Sequence, residues 1–434
     1  MSRILFLLLV FLFNNSSFTQ ESKKQHLDSI LTTLEDDNTI MGSMFVSKNN
    51  IQAYSKSIGY NSIESNIKST EETKYRIGSI TKMFTSVMIF QLIDTNKLDL
   101  DSKLSEFYPT IKNADKITIG NLLNHRSGVF NFTNLENFNP YVKKSKQLIL
   151  LEIEKFTPVF EPNTKTEYSN TNYILLGYIL EEIHQKSYAK ILQNTIVDKL
   201  SLKNTYYGDS INIKNNEAES YVFDKNWIKS NETHMSLPHG AGAIVSTPKE
   251  LTIFMNALMG EKLVSKKSLH KMKTTTNGLG YGIAEFKIYD RILYGHNGGI
   301  DGFKSLLIYD PKENISVAFT SNSSKIGLKK IVVDGLETFM SIPYEKTKEM
   351  EVNSDYLNTY AGVYKSEKAP FTLTFYIKEN TLFGGPTGNH HNLLLPSKEN
   401  QFKLESEGTI IDFDPKTNSL VLSINDMKLP FSKQ

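Results

Sequence analysis

The stretch YRIGSITKMF, residues 75–84, places Ser79 three positions before Lys82, directly after a glycine and at the start of an apolar run. Apolar side chains continue on nearly all faces of a helical projection through about Asp94. A helix that is apolar all round is usually buried at the centre of a domain. The stretch therefore predicts a central helix from Ser79 to Asp94, with Lys82 one turn after Ser79 on the same face.

The Ser79–Lys82 spacing has a chemical use. A serine hydroxyl is a weak nucleophile unless a neighbouring base takes its proton, and burial lowers the pKa of a lysine so that its amine can be that base. The spacing alone is weak evidence, because the chain repeats it at Ser65–Lys68, Ser187–Lys190, Ser246–Lys249 and Ser268–Lys271. Taken alone, the stretch also allows Ser79 to be a helix cap with Lys82 in solvent.

Two more motifs carry groups suited to acyl transfer. In EYSNTNY, residues 167–173, Tyr168 can relay protons and the Asn170 amide can hold a substrate carbonyl, although a packed tyrosine and a helix cap are the ordinary alternative. In YGHNGGIDGF, residues 294–303, glycines on a predicted strand allow a ligand to approach the backbone, or mark a strand bend. There the backbone N–H of Gly299, together with that of Ser79, can polarise an acyl oxygen.

The remaining pattern alternates strands and helices. Residues 43–60 predict a hairpin turning at Asn49 and Asn50, and the segment 291–322 predicts further strands joined by the turn DPKEN at 310–314. Because strands lie at both ends of a helix-rich middle, we expect one sheet to recruit them from distant parts of the chain. Helices are predicted at 117–125, 171–185, 187–199 and 248–259.

The three motifs and their flanks resemble the penicillin-recognising serine hydrolases related to class C β-lactamases, D-alanyl-D-alanine carboxypeptidases, D-aminopeptidases and β-lactamase-like esterases. Ser79-x-x-Lys82, Tyr168-x-Asn170 and His296-x-Gly298 follow that family's order. The resemblance extends over residues 30–335. It includes the segments ITIGNLLNHRSGV at 117–129, FEPNTKTEYSNTNYILLGYILE at 160–181 and GAGAIVSTPKEL at 240–251.

The resemblance implies an α+β fold in which an antiparallel sheet is flanked by helices, with a helical region beside the cleft that carries the site. It implies that Ser79 is the nucleophile, that Lys82 and Tyr168 manage its proton, and that Asn170 contacts the substrate. His296, Gly298 and Gly299 then form the opposite wall. The implied substrate is a small molecule or peptide, and neither a metal nor an organic cofactor is needed.

Two departures from the family pattern bear on the reaction. His296 stands where β-lactamases of this type carry lysine in K-T-G, so a permanent cation is replaced by a group expected to titrate near neutrality. This change favours an esterase or a D-amino-acid-specific peptidase over a true β-lactamase. Asn163 stands where the family often has glycine, a mild change because asparagine tolerates left-handed turns.

The histidines outside the three motifs are not predicted to be catalytic or to bind metal. His125 and Ser127 could form a serine–histidine pair by residue type, but a structural loop role is favoured. His390 and His391 lack the cysteine or carboxylate partners typical of a zinc site, so no metal is predicted. A catalytically silent protein that binds peptides or peptidoglycan in the same cleft is the alternative function.

The N-terminal residues predict a signal peptide, and the rest of the chain predicts two domains. Residues 1–20 have a positive Arg3, an apolar core from Ile4 to Phe13 and a polar end, which is a signal-peptide layout. A serine hydrolase domain follows at 21–340, then a linker at 341–355 and a small all-β domain at 356–434. No later stretch is apolar enough for a stable membrane anchor after signal cleavage, so the predicted location is periplasmic or secreted.

Composition excludes several classes of function. The formal net charge is only +2, and basic and acidic residues are interspersed along the chain. The sequence therefore predicts no basic surface that would bind nucleic acid. The chain has no cysteine, which excludes disulfides and thiolate catalysis.

Overall fold

The computed structural model describes residues 23–288, 290–341, 357–378, 381–388, 392–404, 409–424 and 427–434. The chain divides into two compact units, Met1–Ile342 and Pro343–Gln434. The predicted signal segment at 1–20 lies outside the described residues, as do His390, His391 and all of the predicted linker except Ser341.

Strands from both ends of the first unit form one antiparallel sheet, as predicted. Ile40–Lys48 pairs with Ile51–Ile58 on one side and with Ile315–Ser324, far along the chain, on the other. In spatial order the six strands are Ala284–Ile288, Arg291–Ile300, Phe303–Asp310, Ile315–Ser324, Ile40–Lys48 and Ile51–Ile58.

The predicted hairpin turn is confirmed at Asn49 and Asn50. Both residues have positive φ, 53° and 65°, which asparagine tolerates better than most residues and which matches the twist of a tight hairpin. The first strand begins at Ile40, three residues before the predicted start.

Helices fill the middle of the first unit. The long helices are 23–36, Thr81–Asp94, Lys146–Lys155, Asn170–His184, Pro248–Met259 and Lys329–Phe339. The shorter ones are Ile119–Leu123, Tyr188–Leu192, Asp198–Leu200 and Lys266–Met272, and a π turn at Gln193–Val197 joins the second of these to the third. Single 3₁₀ turns lie at Gly78–Ile80, Leu104–Glu106, Phe132–Asn134, Ile213–Asn215 and His239–Ala241.

The helix Thr81–Asp94, called the Ser79 helix below, is the centre of this unit. Its residues Thr81–Phe90 are all buried, which confirms the prediction of a central helix. Phe84 stacks on Phe254 of the helix Pro248–Met259, with ring centroids 3.7 Å apart. Within the described ranges, no helix has the length and apolarity needed to cross a membrane.

Short strands complete the first unit. Three of them form a small sheet in the order Tyr75–Arg76, Ile244–Ser246 and Tyr206–Tyr207. Two further pairs are Tyr60–Ser62 with Ile67–Lys68, and Tyr221–Phe223 with Trp227–Lys229.

The second unit is an antiparallel β domain. Among the residues that the structure describes there, the strands are Gly362–Lys365, Thr372–Lys378, Thr381–Pro386, Asn392–Leu393, Leu395–Lys398, Gln401–Leu404, Thr409–Asp414, Ser419–Ile424 and Met427–Lys433. Aromatic side chains fill its core, among them Tyr360, Tyr364, Phe375, Phe402 and Phe413.

Candidate active site

Ser79 lies at a break in an otherwise buried segment. Every residue from Thr73 to Phe90 is buried except Ser79, which is partly exposed. Gly78, with φ of +50°, turns the chain from the short strand Tyr75–Arg76 into the 3₁₀ turn that precedes the Ser79 helix. The Ser79 side chain makes no capping hydrogen bond to this helix, so the helix-cap interpretation is wrong. The hydroxyl therefore remains available at the positive end of the helix dipole.

Lys82 is completely buried, one turn further along. Its Nζ lies 2.8 Å from Asn170 Oδ1, 2.8 Å from the Ala241 carbonyl oxygen and 3.0 Å from Ser79 Oγ. Burial holds the pKa of Lys82 well below its ordinary value of 10.5.

The partners of Lys82 determine what its neutral amine can do. A neutral amine has two N–H donors and one lone pair. Asn170 Oδ1 and the Ala241 carbonyl oxygen can only accept, so they take both donors. The lone pair then faces Ser79 Oγ, which is the arrangement a general base needs.

Tyr168 approaches Ser79 from a different segment. Its hydroxyl donates to Ser79 Oγ at 2.9 Å. Burial raises the pKa of Tyr168 above its ordinary value, so the phenol keeps its proton and can donate it. The Lys82 Nζ lies 4.8 Å from the centre of the Tyr168 ring. Lys82 and Tyr168 therefore lie close to each other as well as to Ser79.

A directed hydrogen-bond chain fixes the amide of Asn170. Asn131 Oδ1 accepts from the Asn170 backbone N–H at 3.1 Å and from the Thr133 hydroxyl at 2.9 Å. Since the Thr133 hydrogen is used in this way, its oxygen accepts from Asn170 Nδ2, at 3.1 Å. The Asn170 Oδ1 is therefore turned toward Lys82.

Glycines let the opposite wall approach the Ser79 turn. A side chain at Gly298 would place its Cβ 2.1 Å from the Ile77 carbonyl oxygen and 3.0 Å from the Ser79 backbone nitrogen. A Cβ at Gly78 would lie 2.7 Å from the Gly299 nitrogen. The strand Arg291–Ile300 thus passes the Ser79 turn at backbone distance, which brings the backbone amides of Ser79 and Gly299 close together.

His296 corrects one expectation from the sequence. It is only 5% exposed, and burial followed by the charge of nearby Lys82 lowers its pKa to about 4. His296 Nδ1 lies 2.5 Å from the carbonyl oxygen of Asn297, which accepts its hydrogen. The expectation that His296 titrates near neutrality is wrong, because burial keeps the ring uncharged there.

Several residues that support the site were missed by the sequence analysis. Besides Asn131, Thr133 and Ala241, Arg76 and Asp301 form a buried ion pair of 2.9 Å that ties the chain just before Ser79 to the chain just after Gly299. Asp301 also accepts from the Thr233 backbone N–H at 3.0 Å. The only sequence signal was the closeness of Arg76 and Asp301 to two motifs.

The structure bears on the sequence interpretation of Asn163. Asn163 has φ of +70°, so this position does use the left-handed conformation that glycine favours. Within the ranges the structure describes, no group of three or more His, Asp or Glu side chains is arranged to hold a metal ion.

Comparison with known proteins identifies the family of the chain. The chain belongs to the beta-lactamase family, whose model matches residues 27–330. It is a serine hydrolase of that family. In the structure, residues of the first two motifs meet: Lys82 Nζ contacts both Ser79 Oγ and Asn170 Oδ1, and the Tyr168 hydroxyl donates to Ser79 Oγ.

Among individual relatives, the chain is 25% identical over 307 residues to the teichoic acid D-alanine hydrolase of Staphylococcus aureus, covering 68% of this chain and 74% of that protein. It is also 25% identical over 330 residues to the protein flp of the same species, covering 72% and 66%.

Solved structures show the same fold. The D-amino acid amidase of Ochrobactrum anthropi SV3 in complex with L-phenylalanine amide superposes with a TM-score of 0.66 at 24% identity, covering 74% of this chain and 98% of that one. The octameric penicillin-binding protein homologue of Pyrococcus abyssi has a TM-score of 0.67 at 23% identity and covers 94% and 99%.

Proposed function

We propose that the protein is an exported serine hydrolase that removes D-amino-acyl groups, such as D-alanyl, from esters or amides. The observation that carries the catalytic part is the placement of Lys82 Nζ, whose two donors are taken by carbonyl oxygens and whose lone pair faces Ser79 Oγ.

The reaction follows from these contacts. Ser79 Oγ attacks the acyl carbon while its proton passes to Lys82, and the backbone N–H groups of Ser79 and Gly299 stabilise the negative oxygen. Tyr168 donates its proton to the leaving oxygen or nitrogen as that bond breaks, and Lys82 returns a proton to Tyr168. Water then attacks the acyl carbon and gives up a proton to Lys82. As the bond between that carbon and Ser79 Oγ breaks, a proton returns to Ser79 Oγ and the free acid leaves.

The substrate class rests on charge at the opposite wall. A β-lactam antibiotic carries a carboxylate, which a fixed cation would bind, but His296 is neutral at pH 7. A D-amino-acyl ester or amide carries an ammonium group instead and needs no such cation. The names of the similar proteins, a teichoic acid D-alanine hydrolase and a D-amino acid amidase, support the same class.

A substrate panel tests this proposal. We expect purified protein to hydrolyse D-alanyl esters or amides at least about tenfold faster, by kcat/KM, than their L-alanyl counterparts and nitrocefin, since a misplaced substrate loses orientation. Ser79→Ala is the control and should turn over none of them.

The panel also tests the alternative, a silent peptide- or peptidoglycan-binding protein. That alternative requires the wild type and Ser79→Ala to bind the D-alanyl compounds equally and to hydrolyse none. Equal rates on D- and L-alanyl esters would contradict the proposed substrate class while leaving the hydrolase intact.

Export is part of the proposal and is supported by the layout of residues 1–20. We expect the full chain expressed in a bacterium to reach the periplasm or medium shortened at its N-terminus, and a chain starting at Ser22 to stay in the cytoplasm. Cell fractionation with N-terminal sequencing measures this. An intact Met1 on cytoplasmic protein would contradict it.

A further inference from the structure

His125 contacts three consecutive residues around the candidate proton donor. Its carbonyl oxygen accepts from the Glu167 backbone N–H at 2.9 Å, and its Nδ1 accepts from the Ser169 backbone N–H at 3.2 Å. Between these two bonds, the imidazole stacks on the Tyr168 ring, with centroids 4.4 Å apart and planes inclined by 27°. His125 itself is 3% exposed and has φ of +59°.

Tyr168 needs such support because it precedes a helix instead of lying within one. The helix begins at Asn170, and Ser169 is extended, with φ of −139° and ψ of 122°. No helix or strand of the described chain includes residues 165–169. The position of the phenol therefore depends on contacts from outside its own segment.

A directed hydrogen-bond chain fixes the protonation of His125. Ser127 Oγ accepts from the Val129 backbone N–H at 3.0 Å and donates to Asn172 Oδ1 at 2.6 Å. The Asn172 Nδ2 consequently faces His125 Nδ1, at 3.3 Å. With two donors directed at it, Nδ1 is the bare nitrogen and the proton lies on Nε2.

The same contacts exclude a Ser127–His125 nucleophilic pair. The Ser127 hydrogen is used by Asn172, and Ser127 is 1% exposed, so no substrate reaches it. Burial, with smaller contributions from Lys82 and His296, holds the pKa of His125 well below its ordinary value. His125 is therefore uncharged during catalysis.

We propose that His125 is the positioning residue of Tyr168: its ring and Nδ1 hold the phenol so that the hydroxyl stays on Ser79 Oγ. The inference rests on serine hydrolase chemistry at Ser79 and is independent of the D-amino-acyl substrate class. His125 does not touch the reacting atoms and acts through Tyr168 alone.

Two substitutions separate the two contacts. His125→Asn retains a carbonyl acceptor and a residue that tolerates positive φ, but it removes the stacked ring. His125→Phe retains the ring and leaves the buried Ser169 N–H without its acceptor. His125→Asn is expected to fold even if His125→Phe does not.

The experiment is a double-mutant cycle with Tyr168→Phe, using p-methylphenyl acetate and p-nitrophenyl acetate. The p-methylphenolate leaving group is more basic and depends more on a proton donor. We expect His125→Asn to lower the pre-steady-state acylation rate for p-methylphenyl acetate about tenfold or more, with the half-saturating substrate concentration changed less than about twofold. Once Tyr168 is Phe, the same substitution should lower that rate less than about twofold. The decrease in the acylation rate on p-nitrophenyl acetate should be smaller, because its leaving group is less basic.

Tyr173→Phe is the matched structural control. The Tyr173 hydroxyl donates to the Leu123 carbonyl oxygen at 2.7 Å, and its ring lies 5.3 Å from His125. We expect this variant to lower the melting temperature while the acylation rate stays within about twofold, because it removes only the hydroxyl bonded to Leu123 and leaves the ring beside His125 in place.

The proposal would be overturned if His125→Asn lowered the acylation rate by the same factor in the wild-type and Tyr168→Phe backgrounds. It would also be overturned if the acylation rates on the two acetates fell by the same factor. If wild type hydrolyses both acetates but no D-alanyl compound, the proposed substrate class fails and the test of His125 still stands.

Discussion

Replacing Lys82 with methionine is expected to lower kcat/KM for every ester by about a thousandfold or more, within the range that a positioned general base contributes. Methionine has similar length but offers no lone pair that can take the Ser79 proton. The pre-steady-state rate of acylation measures the effect. The matched control is Lys190→Met in the chain's own Ser187–Lys190 repeat, where Lys190 is exposed and Ser187 caps a helix. Equal activity of Lys82→Met and wild type would contradict the role of Lys82.

The pH dependence of the wild type follows from the same residue. Since the neutral amine is the active form, kcat/KM should rise with pH as Lys82 loses its proton. Burial lowers the pKa of Lys82, so this rise should lie well below 10.5. His296, with a pKa of about 4, is too acidic to produce a rise near neutrality. A rise centred near 10.5 would mean that Lys82 is solvated in the working enzyme.

Gly298→Ala is expected to lower kcat about a hundredfold or more, comparable to the loss of an oxyanion donor. Its Cβ would lie 2.1 Å from the Ile77 carbonyl oxygen and 2.5 Å from Ser305 Oγ, whose 2.8 Å hydrogen bond to Ile77 joins the wall to the Ser79 turn. The strand must move away, which separates the amides of Ser79 and Gly299. Steady-state kinetics and thermal melting measure the two consequences.

Gly299→Ala is the control for stability in this comparison. A Cβ at Gly299 has the Phe303 carbonyl oxygen as its nearest neighbour at 3.8 Å, an ordinary contact distance. We expect Gly298→Ala to lower the melting temperature and Gly299→Ala to leave it unchanged. Equal destabilisation by both variants would show that the wall does not pack against the Ser79 turn as described.

The sequence was sufficient for features set by local pattern. Period-two alternation with two asparagines defined the hairpin Ile40–Ile58, and the apolar run after Ser79 defined the buried helix. The three motifs, with their order, identified the groups that meet at Ser79. Glycines at the opposite wall also indicated close backbone approach, as found at Gly298.

Features set by long-range burial could not be predicted. The pKa of His296 depends on how completely other segments cover the ring, and its sequence neighbours do not reveal this. The orientation of the Asn170 amide depends on Thr133, which is 37 residues away. The Ala241 carbonyl that accepts from Lys82 is a backbone group 159 residues distant, for which no side-chain pattern exists.

Mass spectrometry of the protein after incubation with a fluorophosphonate tests directly whether Ser79 is the nucleophile. If Ser79 is the nucleophile, one covalent adduct forms on the peptide containing Ser79; it is absent in Ser79→Ala and forms far more slowly in Lys82→Met. An unmodified Ser79, in a protein whose Ser79→Ala variant still hydrolyses esters at the wild-type rate, would contradict this role of Ser79.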